Sequence, residues 1–299
     1  MHGSPILRVA FGSILVAPSL ARAGDVPPTH AEAKSIDVAA AVKGARIASL
    51  GMAPDGNLVA CDAGNNAVLV LSPAGALVAR WALPFAPQAV CARDAETLYV
   101  GGQGQLARLD RAGKVVKAVE VGAGGAKAGG IAAIAASGAD VFVAAHVGFS
   151  FAVIRFSAEL AEPKLIVERL RGCCGQMNIA AGDGVLYAAE NARHRIVRFD
   201  REGKELGSWG KASRTKLDAF GGCCNPMNIF LGPGGELYTS ESEGRVKRYA
   251  PGDGAFLGLV GLPKLGGGCL NVSVAVSRDA SRVYVLDTQA NAIRVLEKQ

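Results

Sequence analysis

A duplication constrains what this chain can fold into more than any other feature. Gly172-Cys173-Cys174-Gly175-Gln176-Met177-Asn178 returns fifty residues later as Gly222-Cys223-Cys224-Asn225-Pro226-Met227-Asn228. A shorter third copy, Gly268-Cys269-Leu270-Asn271-Val272-Ser273, keeps one of the two cysteines. The segments after the motifs repeat as well: Asn178-Ile179-Ala180-Ala181-Gly182-Asp183-Gly184-Val185-Leu186-Tyr187 parallels the run from Asn228 through Gly235 to Tyr238. A segment that recurs at a fixed interval is one supersecondary unit, unable to bury its apolar face until it stacks on copies of itself.

Aligning outward from the motifs recovers further copies. Each has an apolar first strand, a tight Gly- or Asp-bearing turn and a second strand. A loop near an acidic residue follows, then a third strand of alternating polarity. The third strands are Ala67–Leu71, Leu106–Leu109, Ala152–Phe156, Arg195–Phe199, Arg245–Tyr249 and Ala292–Leu296. Most are followed by a polar turn with Gly, such as Asp200-Arg201-Glu202-Gly203, and a fourth strand. Four short strands every 40 to 50 residues predict an all-β fold, a six-bladed β-propeller with blades beginning near residues 44, 85, 127, 171, 221 and 266. Blade 3 is the weakest copy. The last blade ends after its third strand, at Leu296, so its outer strand is expected from the N-terminus, at Ser35–Ala40. That closure removes an open sheet edge. The expected boundaries are an export signal at 1–23, a linker at 24–34 and the propeller at 35–299.

The chain resembles the NHL-repeat propellers over nearly all of residues 35–299. The carriers are Ala60-Cys61-Asp62-Ala63-Gly64-Asn65-Asn66-Ala67-Val68, Ala189-Glu190-Asn191-Ala192-Arg193-His194-Arg195-Ile196 and Leu286-Asp287-Thr288-Gln289-Ala290-Asn291-Ala292-Ile293. They match that family's acid-x-x-x-Asn-x-hydrophobic loop between second and third strands, with His194 in place of the asparagine in the blade-4 copy. The resemblance implies the fold and leaves function open, because such propellers include binding scaffolds and enzymes.

The first residues carry an export signal. Arg8 supplies a positive start, Val9–Leu20 an apolar stretch, and Ala21-Arg22-Ala23 a small-x-small cleavage site. The apolar run is about a dozen residues, short of the roughly 20 that span a bilayer. A periplasmic or secreted protein is expected, with no transmembrane segment after cleavage. Loss of Arg8 and Arg22 lowers the formal charge from +6 to +4. So mild an excess, in an exported chain, argues against a nucleic-acid partner.

In a propeller the loop leading into each inner strand and the loop between strands two and three lie on one face. That rim should gather Cys173, Cys174, Met177, Asn178, Glu190 and His194 from blade 4. It should also gather Cys223, Cys224, Met227, Asn228 and Glu241 from blade 5, and Cys269, Ser273 and Asp287 from blade 6. His146 stands where blade 3 should have its acid. The expected occupant is a small molecule, a metal ion or a protein segment, since mouths of closed β architectures are common ligand sites. The duller readings are that the acids bond loop amides, the asparagines cap backbone, the methionines fill core, and Cys61 and Cys91 are buried small hydrophobes.

The cysteine pairs admit three states. Vicinal disulfides would be strained, because consecutive Cα atoms are about 3.8 Å apart and disulfides prefer roughly 4.4–6.8 Å. Cross-links between equivalent positions of adjacent blades are geometrically marginal. Reduced thiols would suit a soft metal such as copper(I), with Cys174, Cys224, Cys269, Met177, Met227 and His146 as candidate ligands. The seven cysteines leave at least one unpaired in any disulfide scheme. No Cys-x-x-Cys occurs to suggest structural zinc. Two function classes follow. One is a binding scaffold, consistent with the lack of Gly-x-Ser-x-Gly and with only four histidines. The other is a metal-dependent hydrolase or lyase, holding calcium or zinc in the channel. Resemblance to the gluconolactonase-like enzymes would make Asn178 and Asn228 ligands there, but the matching positions in blades 1–3 are Ser49, Ala89 and Ala133. The peptidyl-amidating lyases are a further precedent, with only His146 and His194 available for their histidine set.

Overall fold

Six four-stranded antiparallel sheets form the computed structural model, which describes residues 26–299 apart from residue 124. The expected export signal lies outside the described residues. The inner strands of the six blades are Ile47–Met52, Ala89–Ala92, Ile131–Ser137, Asn178–Gly182, Asn228–Leu231 and Val274–Val276. Each touches the next, and the sixth touches the first, so the ring closes around an axial channel.

Local sequence explains the hairpins. In blade 4, Gly182 pairs with Val185 across Asp183 (φ +50°) and Gly184 (φ +76°). Two left-handed residues in a two-residue turn match the twist of the flanking strands, and Asp-Gly supplies them cheaply. Burial falls from the axis outward. In blade 1, Leu58–Asp62 and Ala67–Leu71 are buried throughout, while the outer strand Leu77–Ala82 is largely exposed. The core lies between blades: Val59, Cys61 and Val68 of blade 1 pack with Val90, Leu98 and Val100 of blade 2. Each such aliphatic side chain, fully removed from water, contributes about 1.5–3 kcal/mol.

Two details differ from the sequence expectation. The outer edge of blade 6 is formed by His30–Glu32 and Ile36–Asp37, both antiparallel to Ala292–Lys298. Part of the segment assigned to a linker at 24–34 therefore belongs to the propeller. Val38–Ala41 is one helical turn instead of strand, because Asp37 Oδ1 accepts from Ala40 N at 3.1 Å and the alanines that follow favour helix. Blade 3, the faintest repeat, has the longest strands, with Asp140–Val147 and Ser150–Ser157 in full register. Among the described residues no helix is long and apolar enough to cross a membrane.

Candidate functional site

The rim begins with a repeated staple. Asp62 accepts from Arg46 N (2.9 Å), Glu190 from Arg171 N (2.9 Å), Glu241 from Gly221 N (3.2 Å) and Asp287 from Gly266 N (3.1 Å). In four blades, then, the acid between strands two and three ties down the loop leading into the inner strand. All four carboxylates are buried. Their remaining oxygen positions are also filled, Glu190 by Arg195 (2.6 Å) and Asp287 by Arg294 (2.7 Å). Burial opposes ionisation of Asp287, but hydrogen bonds from Arg294, Ala290 N and Gly266 N outweigh it and hold the carboxyl below its ordinary range. Glu241 bonds Arg245 (2.7 Å) and the wholly buried Lys247. Burial lowers the Lys247 pKa, and Glu241 offsets part of that. Glu190 and Glu241, candidate ligand residues in the sequence, are thus committed to holding the loops.

On those loops the structure brings together five thiols from three blades. Cys173 Sγ lies 2.6 Å from Cys224 Sγ and 3.6 Å from Cys174 Sγ, and Cys174 lies 3.7 Å from Cys224. Cys223 Sγ lies 3.1 Å from Cys224 and 3.7 Å from Cys269. Two groups, Cys173–Cys174–Cys224 and Cys223–Cys224–Cys269, each keep all their sulfurs within 4.8 Å of one another. Cys224 is common to both and is buried; Cys174 and Cys223 are exposed. All seven thiols are unbonded in this structure. The shortest contact joins adjacent blades, but at non-equivalent positions: the first cysteine of one motif meets the second of the next. The 2.6 Å separation is closer than unbonded sulfurs pack and longer than the roughly 2.05 Å of a disulfide bond.

The loops reach this arrangement by different means. In blade 4, Asn191 Oδ1 accepts from Cys173 N at 2.7 Å, and Cys174 adopts φ +54°, turning its side chain outward. In blade 5 the fixing residue lies inside the motif: Asn225 donates to Gly221 O (2.8 Å) and accepts from Ser242 N (2.9 Å). Gly172 and Gly222 precede the pairs because a Cβ on either would collide, with Phe151 and Gln176 O in one case and Glu243 in the other. The sequence reading missed Asn191 and Asn225 as loop-fixing residues. Their asparagine character in a turn was the available signal.

The remaining candidates divide. Met227 packs in the same apolar cluster as Cys224, with Cys173 and Cys269 against it, whereas Met177 belongs to the cluster between blades 3 and 4 with Phe151 and Leu170. Asn178 Oδ1 accepts from Ile229 N (3.1 Å) and Asn228 Oδ1 from Val274 N (3.3 Å), so each amide oxygen holds the next blade's inner strand. Both line an axial cavity of about 210 Å³ whose other polar side chains are Ser49, Asn271 and Ser273. No carboxylate lines it among the described residues. His146 packs against Phe151 in a tilted arrangement (ring centroids 4.0 Å apart, planes at 44°) and lines a cavity of about 450 Å³ at the mouth, with Arg46, Gln88 and Thr288. Gly175, Gln176 and Leu270, chain neighbours of the thiols, line the same cavity. His146 therefore shares the mouth with the cysteine loops without belonging to either sulfur group. His194 bonds Gly222 O at 3.2 Å. Cys61 and Cys91 lie in strands, where burial pushes their thiols up to about 12 and about 11. Burial first, then the neighbouring thiols, also raise Cys224 far above the ordinary thiol value.

No family model matches the sequence, and a comparison with curated proteins found no significant match. Solved structures do resemble it. A chain of Kuenenia stuttgartiensis hydrazine synthase superposes with a TM-score of 0.61 at 14% identity, over 86% of this chain and 97% of that one. A streptogramin B lyase gives 0.57 at 10% identity, over 89% and 97%. Virginiamycin B lyase from Staphylococcus aureus gives 0.58 at 14% identity, over 86% and 82%. At these identities the likeness shows the propeller fold alone.

Proposed function

We propose that this chain is an exported propeller scaffold that binds a soft, thiophilic metal ion of the copper(I) class at the rim of blades 4 to 6. The observation that carries the reading is the convergence of five cysteine sulfurs from three separate loops into two three-sulfur groups. Soft thiolate donors select copper(I), zinc or iron–sulfur clusters over calcium and magnesium, which take oxygen ligands. Structural zinc sites close with four ligands, whereas each group here offers three. A metal–sulfur bond of about 2.3 Å sets three ligating sulfurs roughly 4 Å apart. The 3.6–3.7 Å separations lie near that value, and Cys224 would have to move away from Cys173 (2.6 Å) and Cys223 (3.1 Å).

The test is an anaerobic titration of the fully reduced protein with copper(I) against a coloured copper(I) chelator, with calcium and zinc run in parallel. Expected is retention of copper(I), with the ultraviolet absorption of copper–thiolate bonds and loss of free rim thiols. Reduced protein that leaves all copper(I) with the chelator would remove the reading. Export is checked separately: N-terminal sequencing of the processed protein should begin at Gly24.

A second reading, small-molecule binding or turnover, draws on the mouth cavity with Arg46 and His146 and on the two neighbours that are lyases. A cavity of about 450 Å³ suits a small organic ligand. Turnover of a lactone that is lost in His146→Ala would favour it over the metal scaffold.

A further inference from the structure

We infer that the rim cluster holds two soft metal ions bridged by the Cys224 sulfur. The inference rests on the soft-metal reading above and adds its nuclearity. Five sulfurs could serve one ion, with spare thiols around it, or two ions that share a ligand. The arrangement favours sharing. Cys173 and Cys174 lie on one side of Cys224 and Cys223 and Cys269 on the other, and each side forms a compact group with Cys224. The structure places no pair drawn from opposite sides within sulfur contact, whereas Cys224 contacts Cys173, Cys174 and Cys223 directly.

The burial pattern fits a bridge. Cys224 has no exposed surface, while the outer members are partly or fully exposed. An ion entering from solvent on either side would thus meet exposed thiols first and the shared sulfur last. A thiolate keeps lone pairs after one metal bond, so a single sulfur can bind two soft ions. Each thiol loses its S–H proton on first binding a metal, and the Cys224 thiolate makes its second bond with a remaining lone pair, so six metal–sulfur bonds would release up to five protons. Blade geometry supplies both halves: the first group spans blades 4 and 5, the second blades 5 and 6. Blades 1 to 3 carry no cysteine in the equivalent loops. The repeat therefore yields a pair of sites and stops there.

Native mass spectrometry of the reduced protein, loaded anaerobically with copper(I) and passed through a desalting column, gives the count. Two ions per chain are expected. Cys174→Ala and Cys269→Ala should each hold one, because each removes an outer ligand of one group only. Cys174 is exposed and Cys269 partly so, and a thermal melt confirms that both variants fold. One ion in the native protein, or loss of all metal in Cys174→Ala, would overturn the bridged pair while leaving the soft-metal reading in place. No bound ion in the native protein would overturn both.

Discussion

Blades 1 and 5 hold their rim loops with the same device and use the loops for different ends. In blade 1, Asp62 fixes Arg46 N and Asn65, and the loop presents Arg46 to the mouth. In blade 5, Glu241 fixes Gly221 N, and the loop presents Cys223 and Cys224 to thiols of both neighbours. The position of a cysteine decides its chemistry. Cys61 and Cys91 sit in strands and belong to neither thiol group; the five rim thiols sit on stapled loops in two groups that share Cys224. The staple frees the loop from having to specify its own conformation, so its side chains can diverge while the ring stays closed.

The sharpest way to break this contrast is to exchange a rim thiol and a strand thiol for alanine. Cys224→Ala should weaken copper(I) retention by more than the roughly 100-fold that loss of a supporting residue costs, since both groups lose a ligand. Cys91→Ala should leave retention unchanged in the same chelator competition. Equal effects would mean that the rim is not the site.

The staples should differ in size of effect. Glu241→Gln leaves Lys247 buried without its counter-charge, and chemical denaturation should show a loss of about 3–5 kcal/mol. Asp62→Asn removes hydrogen bonds but strands no buried cation, for a loss of about 1–3 kcal/mol. Only the blade-5 variant should also weaken metal retention, because Gly221 adjoins the second cysteine motif.

Oxidation should act on the rim alone. Two thiols, Cys173 and Cys224, give two protons and two electrons to oxidised glutathione, which leaves as two thiols. Peptide mapping should find that cross-link before any vicinal one, and the oxidised protein should not take up copper(I). Closing the loop between them would stabilise the fold by about 2–4 kcal/mol, read as a raised midpoint in denaturant.

At neutral pH the smallest effect belongs to the strand thiols, whose ionisation alters stability only in alkali. Cys61 and Cys91 are raised to about 12 and about 11, above the roughly 8.5 of an unfolded thiol. Between those values the unfolded chain releases protons that the native protein keeps. Their contribution is therefore complete below about pH 8.5 and fades as pH rises towards 11–12, by up to about 1.4 kcal/mol per pH unit for each thiol. Cys61→Val should make the alkaline decline in stability shallower.

The ring and its blade count were legible in the sequence because strand periodicity and turn glycines are local signals. So was the convergence of segments 173–178, 223–228 and 269–273, which follows from ring closure. The pairing of Cys173 with Cys224 was not. It depends on how two adjacent loops lean, and they lean differently: Asn191 holds one from outside its motif and Asn225 holds the other from within. The division of the methionines was equally hidden. Met177 and Met227 occupy the same place in the repeat, yet only Met227 packs beside Cys224. The N-terminal closure was half legible, since an edge strand was required but its start at His30 depends on pairing with Lys298.

Cysteine alkylation followed by mass spectrometry, with and without copper(I), addresses the thiol cluster most directly. Protection should fall together on Cys173, Cys174, Cys223 and Cys269 when the metal is added, with the buried Cys224 and the strand thiols Cys61 and Cys91 the same in both states. Protection confined to one motif, or none on Cys269, would show that the three loops do not form one site.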